Sequence, residues 1–310
     1  MKVMFMGTPD FSVPVLQQLI DDEYNIVAVV TQPDRPRGRK KVLTPSPIKK
    51  LAVAHNLPVV QPEKIREPGA IEEILSYEPD LIVTCAYGQI LPEAILNAPK
   101  HGCINVHASL LPEYRGGAPI HKAIIDGKKE TGVTIMYMVK AMDAGDILSQ
   151  VKVPIEEKDN VGTLHDKLSA VGARLLAETI PELLAGRIIP IPQDPDKVTF
   201  SPTIKREDEK IDWSRTGEQI YNHIRGLNPF PGAYTVYQDQ VMKLWGAEKT
   251  TISGNHTPGT IIELDKDGFI VATGDDVALK ITECQPAGKK RMNAGDFVRG
   301  GTITEGERFV

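Results

Sequence analysis

Asn105 and His107 stand two residues apart in the run Gly102-Cys103-Ile104-Asn105-Val106-His107-Ala108-Ser109-Leu110-Leu111-Pro112. The apolar residues around them predict a strand over Cys103–His107, and alternate residues of a strand face the same way. The two side chains therefore project together at the strand's carboxyl end, where open α/β sheets bind ligands. An amide there can donate to a developing oxyanion, and an imidazole can move a proton near neutral pH. A lone histidine at a strand end is commonly a structural residue. The paired asparagine and the turn that follows favour the chemical reading.

A second polar cluster, Met142-Asp143-Ala144-Gly145-Asp146, follows a strand expected at Val133–Val139. It reaches the same sheet edge if the two strands are neighbours. A carboxylate there could orient the imidazole or hold a water. Asp-Ala-Gly-Asp also reads as a turn whose aspartates cap backbone donors. That reading is preferred for Asp146; for Asp143 the spacing alone leaves both open. A metal held by His107, His121 and Asp143 has no recognised ligand spacing behind it.

The elements that must carry these residues alternate. Strand-length apolar runs recur at Val3–Met6, Ile26–Val30, Pro58–Val60, Leu81–Cys85, Cys103–His107 and Val133–Val139. Helical stretches lie between them at Pro14–Ile20, Ile48–His55, Ala70–Ser76, Pro92–Leu96 and Pro119–Asp126. This pattern predicts an α/β fold with a doubly wound, largely parallel sheet. A long amphipathic helix is expected from about Gly162 to Leu184, started by Thr163 with Asp166 and stopped by Gly186. The first turn, Gly7-Thr8-Pro9-Asp10, is not the glycine fingerprint of a dinucleotide site, and Pro9 removes a backbone donor that a pyrophosphate would use. No phosphate-cradling P-loop is present either.

Prolines at 190, 192, 195 and 202 mark a semi-rigid linker. The expected organisation is a catalytic domain over 1–187, a linker over 188–206 and a second domain over 207–310. In the last, a short helix (Gly217–Arg225) precedes five short strands: Ala233–Tyr237, Val241–Trp245, Gly259–Leu264, Phe269–Thr273 and Val277–Thr282. Strands of that number and spacing suggest a small OB-like β-barrel.

The 310 residues are 41% hydrophobic and 25% charged, as in soluble globular proteins. No apolar run is long enough to span a membrane, and the N-terminus reads as a first strand, not a signal peptide. Three well-separated cysteines (Cys85, Cys103, Cys284) suit reduced thiols in a cytoplasmic protein. A net charge of −5 gives no global sign of nucleic-acid binding, so any such binding must be local. Residues 207–310 carry 12 Lys and Arg against 16 Asp and Glu. The concentrated positive charge lies in the loop Pro33–Pro47, where Arg35, Arg37, Arg39, Lys40 and Lys41 face only Asp34. Its prolines and Gly38 exclude a continuous helix, and connections of that length are usually functional or disordered. Such an arm could contact phosphates and stack guanidinium groups on unpaired bases. Lys289, Lys290 and Arg291 form a smaller basic run.

The order Gly-Thr-Pro-Asp-Phe at 7–11, Thr-Gln-Pro-Asp-Arg-Pro at 31–36, Asn-Val-His-Ala-Ser-Leu-Leu-Pro at 105–112, Arg-Gly-Gly-Ala-Pro-Ile at 115–120 and Met-Asp-Ala-Gly-Asp-Ile at 142–147 resembles the methionyl-tRNA formyltransferase family. Ile-Asp-Trp at 211–213, Ile-Arg-Gly-Leu-Asn-Pro-Phe-Pro at 224–231 and Gln-Pro-Ala-Gly-Lys-Lys at 285–290 extend the resemblance over nearly the whole chain. The resemblance implies a formyltransferase fold followed by an OB-like domain that helps hold tRNA. It implies 10-formyltetrahydrofolate as formyl donor, initiator methionyl-tRNA as acceptor, no metal, and no membrane or obligatory protein partner. It implies a catalytic trio of Asn105, His107 and Asp143, and folate contacts from Ser109, Leu110, Leu111 and Pro112. The pterin is expected against residues 86–91 and 141–146. The basic loop would enter the acceptor stem, with Arg39 at the family's arginine and Arg35, Arg37, Lys40 and Lys41 beside it; Lys289 and Lys290 would serve from the second domain. A formyltransferase for a small amine would share the trio without needing the basic loop or the barrel. A degenerate tRNA-binding protein would not need an intact trio.

Overall fold

The computed structural model describes residues 1–38, 40–251 and 256–310, with Arg37 described in its backbone only. The chain divides into two compact units. The first comprises Met1–Pro119, Thr131–Pro154 and His165–Ser201; the second comprises Ile120–Glu130, Ile155–Leu164 and Pro202–Val310.

Strands β1 (Lys2–Gly7), β2 (Asn25–Val30), β5 (Val59–Val60), β6 (Leu81–Cys85), β7 (Cys103–His107), β8 (Glu130–Tyr137) and β9 (Ile147–Pro154) form the sheet of the first unit, in the order β5-β2-β1-β6-β7-β8-β9. Two further strands, β3 (Arg35–Arg37) and β4 (Val42–Thr44), make a separate antiparallel hairpin where the sequence predicts a loop. The helices of this part of the chain are α1 (Val13–Asp21), α2 (Pro47–Ala54), α3 (Pro68–Ser76), α4 (Glu93–Leu96), α5 (Pro119–Ile125) and α6 (Val161–Leu184). Strands β1 and β6 read as unbroken apolar runs because both their faces are covered; Val3, Met4, Phe5 and Met6 are fully buried, as are Leu81, Ile82 and Val83. Pairing is parallel from β5 through β7, whereas β8 runs antiparallel to β7, with Thr134 opposite His107 and Tyr137 opposite Ile104.

Helix α6 begins at Val161, one residue before its expected start, and its cap lies three residues before the expected Thr163. Asn160 Oδ1 accepts from Thr163 N (3.0 Å) and Thr163 Oγ1 accepts from Asn160 N (3.1 Å), so Asn160 is the cap and Thr163 its reciprocal partner. The sequence pattern puts Leu164, Leu168, Val171, Leu175 and Leu183 on the apolar stripe; Leu164 and Leu168 are fully buried, but the stripe continues through Leu176 and Ile180, and Val171 and Leu183 are only partly covered. The proline-dense stretch after it is laid along the first unit as far as Ser201. Ile191 bridges Ile147, and Phe200 bridges Arg115.

The second unit holds α7 (Gly217–Arg225), closed at its start by a Thr216–Gln219 capping box. Strands β10 (Ala233–Tyr237), β11 (Gln240–Thr251), β12 (Ile261–Leu264), β13 (Phe269–Val271) and β14 (Val277–Pro286) pair in the order β10-β11-β14-β13-β12. The chain's last residues close that sheet. Val310 exchanges two backbone bonds with Val236 of β10 (3.0 Å each), while Phe309 N and Ile261 N bond Gly259 O and Glu307 O (2.9 and 2.8 Å). Closure leaves a barrel around Trp213, Leu244, Phe269, Leu279 and Phe309. A short strand β15 (Met292–Asn293) and helix α8 (Ala294–Arg299) complete the unit; the sequence pattern predicts neither. Among the described residues no helix is long and apolar enough to cross a membrane.

Candidate active site

Strand β7 brings Asn105 and His107 to the same side, as alternation requires. Thr84, their neighbour on β6 and the register partner of Asn105, donates to Asn105 Oδ1 (2.8 Å). That bond orients the amide through its oxygen, so its Nδ2 is the donor end. His107 is only 6% exposed. Its Nε2 lies 3.0 Å from the carbonyl oxygen of Tyr114. A carbonyl only accepts, so Nε2 carries the hydrogen and the neutral ring keeps its lone pair on Nδ1. Nδ1 faces Asp143 Oδ2 at 3.8 Å. That distance is too long for a hydrogen bond but close enough to stabilise an imidazolium.

Asp143 does not arrive by the route the sequence suggests. Because β8 runs antiparallel to β7, the segment after Tyr137 leaves beside the start of β7, not beside His107, and must fold back. Asp143 has a positive φ of 48° in that turn. Gly145 lies so close to the Tyr137 carbonyl that a Cβ would stand 1.9 Å from its oxygen, so only glycine fits. Gln193 then pins the turn: its Nε2 donates to Asp143 O (2.7 Å) and Gly145 O (2.8 Å), and its Oε1 accepts from Arg115 Nε and Nη2 (3.0 and 2.7 Å). The Asp143 carboxylate accepts from Gly116 N (2.8 Å). Gly116 has φ +120°, and a Cβ there would meet the Ser201 carbonyl at 2.7 Å.

The turn from Ser109 to Pro112 is held from beneath. Thr134 Oγ1 donates to Ser109 O (2.7 Å) and accepts from Leu111 N (3.1 Å), and Gln150 Nε2 donates to Leu111 O (2.8 Å). The Ser109 hydroxyl is spent on Glu113 O (2.6 Å), and the Leu111 side chain packs with Met136 and Ile147. Ser109 and Leu111 thus face inward, and Leu110 and Pro112 are the side chains of this turn left partly open. Residues 199–201 run beside the following segment: Thr199 Oγ1 accepts from Tyr114 N (2.9 Å) and Ser201 Oγ donates to Tyr114 O (3.1 Å), the same carbonyl that holds His107.

Thr84, Thr134 and Gln193 give no signal in the sequence, since each acts through a partner distant along the chain. The buried thiols of Cys85 and Cys103 are pushed up to about 12 by loss of solvent, so neither offers a thiolate nucleophile. Among the described residues no group of three His, Cys, Asp or Glu side chains is placed to hold a metal ion. His121 lies in the second unit, with Nε2 against the Phe230 carbonyl (3.2 Å).

Among the basic residues, Arg35 is engaged, its Nη1 and Nη2 lying 3.3 and 2.6 Å from the two oxygens of Glu63. Lys40, Lys41, Lys289 and Lys290 are exposed. Arg291 pairs with Glu283 and lies over the Trp245 ring at 5.1 Å. The Arg37 side chain and Arg39 lie outside the described residues.

Residues 1–180 match the formyl transferase family, and residues 203–302 match the formyl transferase C-terminal domain. The chain belongs to the formyltransferase family. This formyltransferase is 65% identical over 299 residues to the methionyl-tRNA formyltransferase of a Geobacillus species, covering 96% of this chain and 94% of that one. Its fold is that of the methionyl-tRNA formyltransferase of Clostridium thermocellum (TM-score 0.56, 18% identity, 91% and 99% of the two chains). It is also that of an N-formyltransferase of Helicobacter canadensis solved with folinic acid and dTDP-3-aminofucose (TM-score 0.68, 18% identity, 92% and 99%).

Proposed function

We propose that this formyltransferase moves the formyl group of 10-formyltetrahydrofolate to the free amino group of initiator methionyl-tRNA, giving N-formylmethionyl-tRNA and tetrahydrofolate for translation initiation in the cytoplasm. The high identity to proteins of that name supports the activity. The observation that carries the chemistry is the arrangement at His107, whose Nε2 hydrogen is committed to a carbonyl while Nδ1 stays open toward Asp143.

The unprotonated methionyl amine attacks the formyl carbon, and the carbonyl oxygen becomes an oxyanion. Asn105 Nδ2, oriented by Thr84, donates to it. His107 Nδ1 accepts the proton that the nitrogen must shed, and the imidazolium formed is stabilised by Asp143. That proton is returned to N10 of the folate as the carbon–N10 bond breaks, so tetrahydrofolate leaves neutral at that nitrogen. No covalent enzyme intermediate is needed. The folate lies against Leu110, Pro112 and the backbone of residues 109–112. The hairpin β3–β4, through Lys40, Lys41, Arg37 and Arg39, meets the acceptor end of the tRNA, and Lys289 and Lys290 add contacts from the barrel.

Incubation with 10-formyltetrahydrofolate and charged initiator tRNA, or instead a nucleotide-linked amino sugar, reads the acceptor from tetrahydrofolate release. Release with tRNA alone is expected; release with the sugar alone would overturn the reading. Loss of an oxyanion donor costs about 2.7–4 kcal/mol, so Asn105→Ala should lose about a hundredfold or more in turnover. His107→Ala is expected to lose a comparable factor, and near-normal turnover by the folded variant would sink the mechanism.

A further inference from the structure

The hairpin β3–β4 cannot fix its own direction. It is a two-stranded sheet of three residues a side, apart from the main sheet, and Val42 and Leu43 are largely exposed. Isolated hairpins of this size are marginal in water. Its feet, however, are tied. Asp34, immediately before β3, uses both carboxylate oxygens: Oδ2 meets Lys49 Nζ at 2.7 Å and Oδ1 accepts from Gln61 Nε2 at 2.8 Å. The same Gln61 amide donates to Gln32 O (3.1 Å). Arg35 forks onto Glu63. At the returning foot, Ser46 caps α2 by accepting from Lys49 N (3.0 Å), and its hydroxyl meets Thr31 Oγ1 at 2.7 Å.

We propose that Asp34 with Lys49 and Gln61, and Arg35 with Glu63, form a clamp that sets the direction in which the hairpin leaves the sheet. These are positioning residues for the tRNA acceptor end; the inference rests on the reading of the hairpin as the tRNA arm. It reassigns Arg35, a basic residue of the arm, from phosphate contact to anchorage. It also accounts for the arm's single acidic residue, because Asp34 binds a lysine from outside the arm and leaves Lys40 and Lys41 for the polyanion. The Asp34–Lys49 pair is less exposed (22% and 28%) than the Arg35–Glu63 pair (57% and 64%), so salt screens it less. Its carboxyl is held below the ordinary range, first by the Lys49 bond and then by Gln61. Leverage explains why the base matters. Strands of three residues reach roughly 10 Å, so a tilt of about 10° at the foot moves the far end of the paired strands by about 2 Å. A displacement of that size separates a cation from a phosphate.

The test uses the full chain with Asp34→Ala, Gln61→Ala, Lys49→Met and Lys49→Arg. KM for initiator methionyl-tRNA, KM for 10-formyltetrahydrofolate and kcat are measured, together with the rate of trypsin cleavage at Lys40 and Lys41 without tRNA. Asp34→Ala, Gln61→Ala and Lys49→Met should raise the tRNA KM about tenfold (about 1.4 kcal/mol). Folate KM and kcat at saturation should stay within about twofold, and cleavage should accelerate. Lys49→Arg keeps the bond and should stay near wild type. Gln61→Ala removes a neutral side chain and keeps the test open if Asp34→Ala fails to fold. Unchanged tRNA KM and cleavage would overturn the clamp, as would tRNA and folate KM rising together. If the wild-type protein does not formylate tRNA, the acceptor reading has failed instead, and the cleavage rates still decide whether the clamp holds the hairpin.

Discussion

Thr84→Val isolates the orientation of Asn105 from its presence. Valine keeps the buried shape of Thr84 and deletes the hydroxyl that donates to Asn105 Oδ1 at 2.8 Å. A neutral intramolecular hydrogen bond is worth about 1 kcal/mol net, so an amide free to rotate should cost roughly fivefold in turnover. Removing the amide itself, as Asn105→Ala, should cost about a hundredfold or more. The Thr84 hydroxyl also lies within reach of Ile104 O (3.1 Å) and Met138 Sδ (3.0 Å), but its one link to the amide is the Asn105 bond, so its effect on turnover through the amide should not add to the loss of the amide itself. In the Asn105→Ala background, Thr84→Val should have almost no further effect. Single-turnover release of tetrahydrofolate, with both substrates saturating, measures each corner of the cycle, and thermal midpoints confirm that all four proteins fold. The reasoning fails if Thr84→Val costs the same factor in both backgrounds, because that loss would come from packing and not from aiming the donor.

Gln193→Met should free the turn that carries Asp143, whose two carbonyls each lose the amide donor, worth about 0.5–1.5 kcal/mol apiece. Turnover should fall about tenfold with little change in folate KM, and wild-type turnover would show that the turn holds itself. In the second unit, Lys280 beside Asp265 (2.7 Å) keeps that carboxyl below its ordinary range, with backbone donors from Asp267 and Gly268 helping. Its folded value is depressed, so its contribution is present above the ordinary carboxylate value of about 3.9 and is lost as pH falls through the lower folded value. Thermal midpoints measured from about pH 6 down to about pH 2.5 should therefore drop more steeply for wild type than for Asp265→Asn, and parallel acid limbs would contradict the assignment. Cys85, Cys103 and Cys284, all pushed up to about 12 by burial, should resist alkylation in the native protein near pH 8 and react only in denaturant.

Much of the site is legible because strand alternation is a rigid rule. Asn105 and His107 have to share a face once Cys103–His107 is a strand, and the apolar runs place that strand within a largely parallel sheet. The five barrel strands are likewise marked by their own residues and turns. What escapes is whatever depends on chain returning from far away. The antiparallel sense of β8 has no local signature, so the sequence places Asp143 near His107 for the wrong geometric reason. Gln193 holds that turn from 50 residues downstream, and Gln193 stands in a stretch that composition marks as a linker. The basic loop's prolines and Gly38 correctly rule out a helix but hide a hairpin of three residues a side. Arg35 reads as one of five equivalent cations until Glu63 is seen to take it. Local pattern reports faces and periods; it does not report partners.

Residues 193–201 reach back to both halves of the catalytic arrangement, Gln193 to the Asp143 turn and Ser201 to the carbonyl that steers His107. During synthesis the chain emerges from the ribosome in order, and domains generally fold as units as they appear. His107 and Asp143 will be outside the exit tunnel before Ser201 and Gln193, whose bonds hold the carbonyl against His107 and the turn of Asp143. The nascent protein therefore lacks a fully held site until more than two-thirds of it has been made, and the last part of the first unit to arrive contributes none of the proposed reacting groups. Its arrival fixes the moment at which the reacting groups become a site.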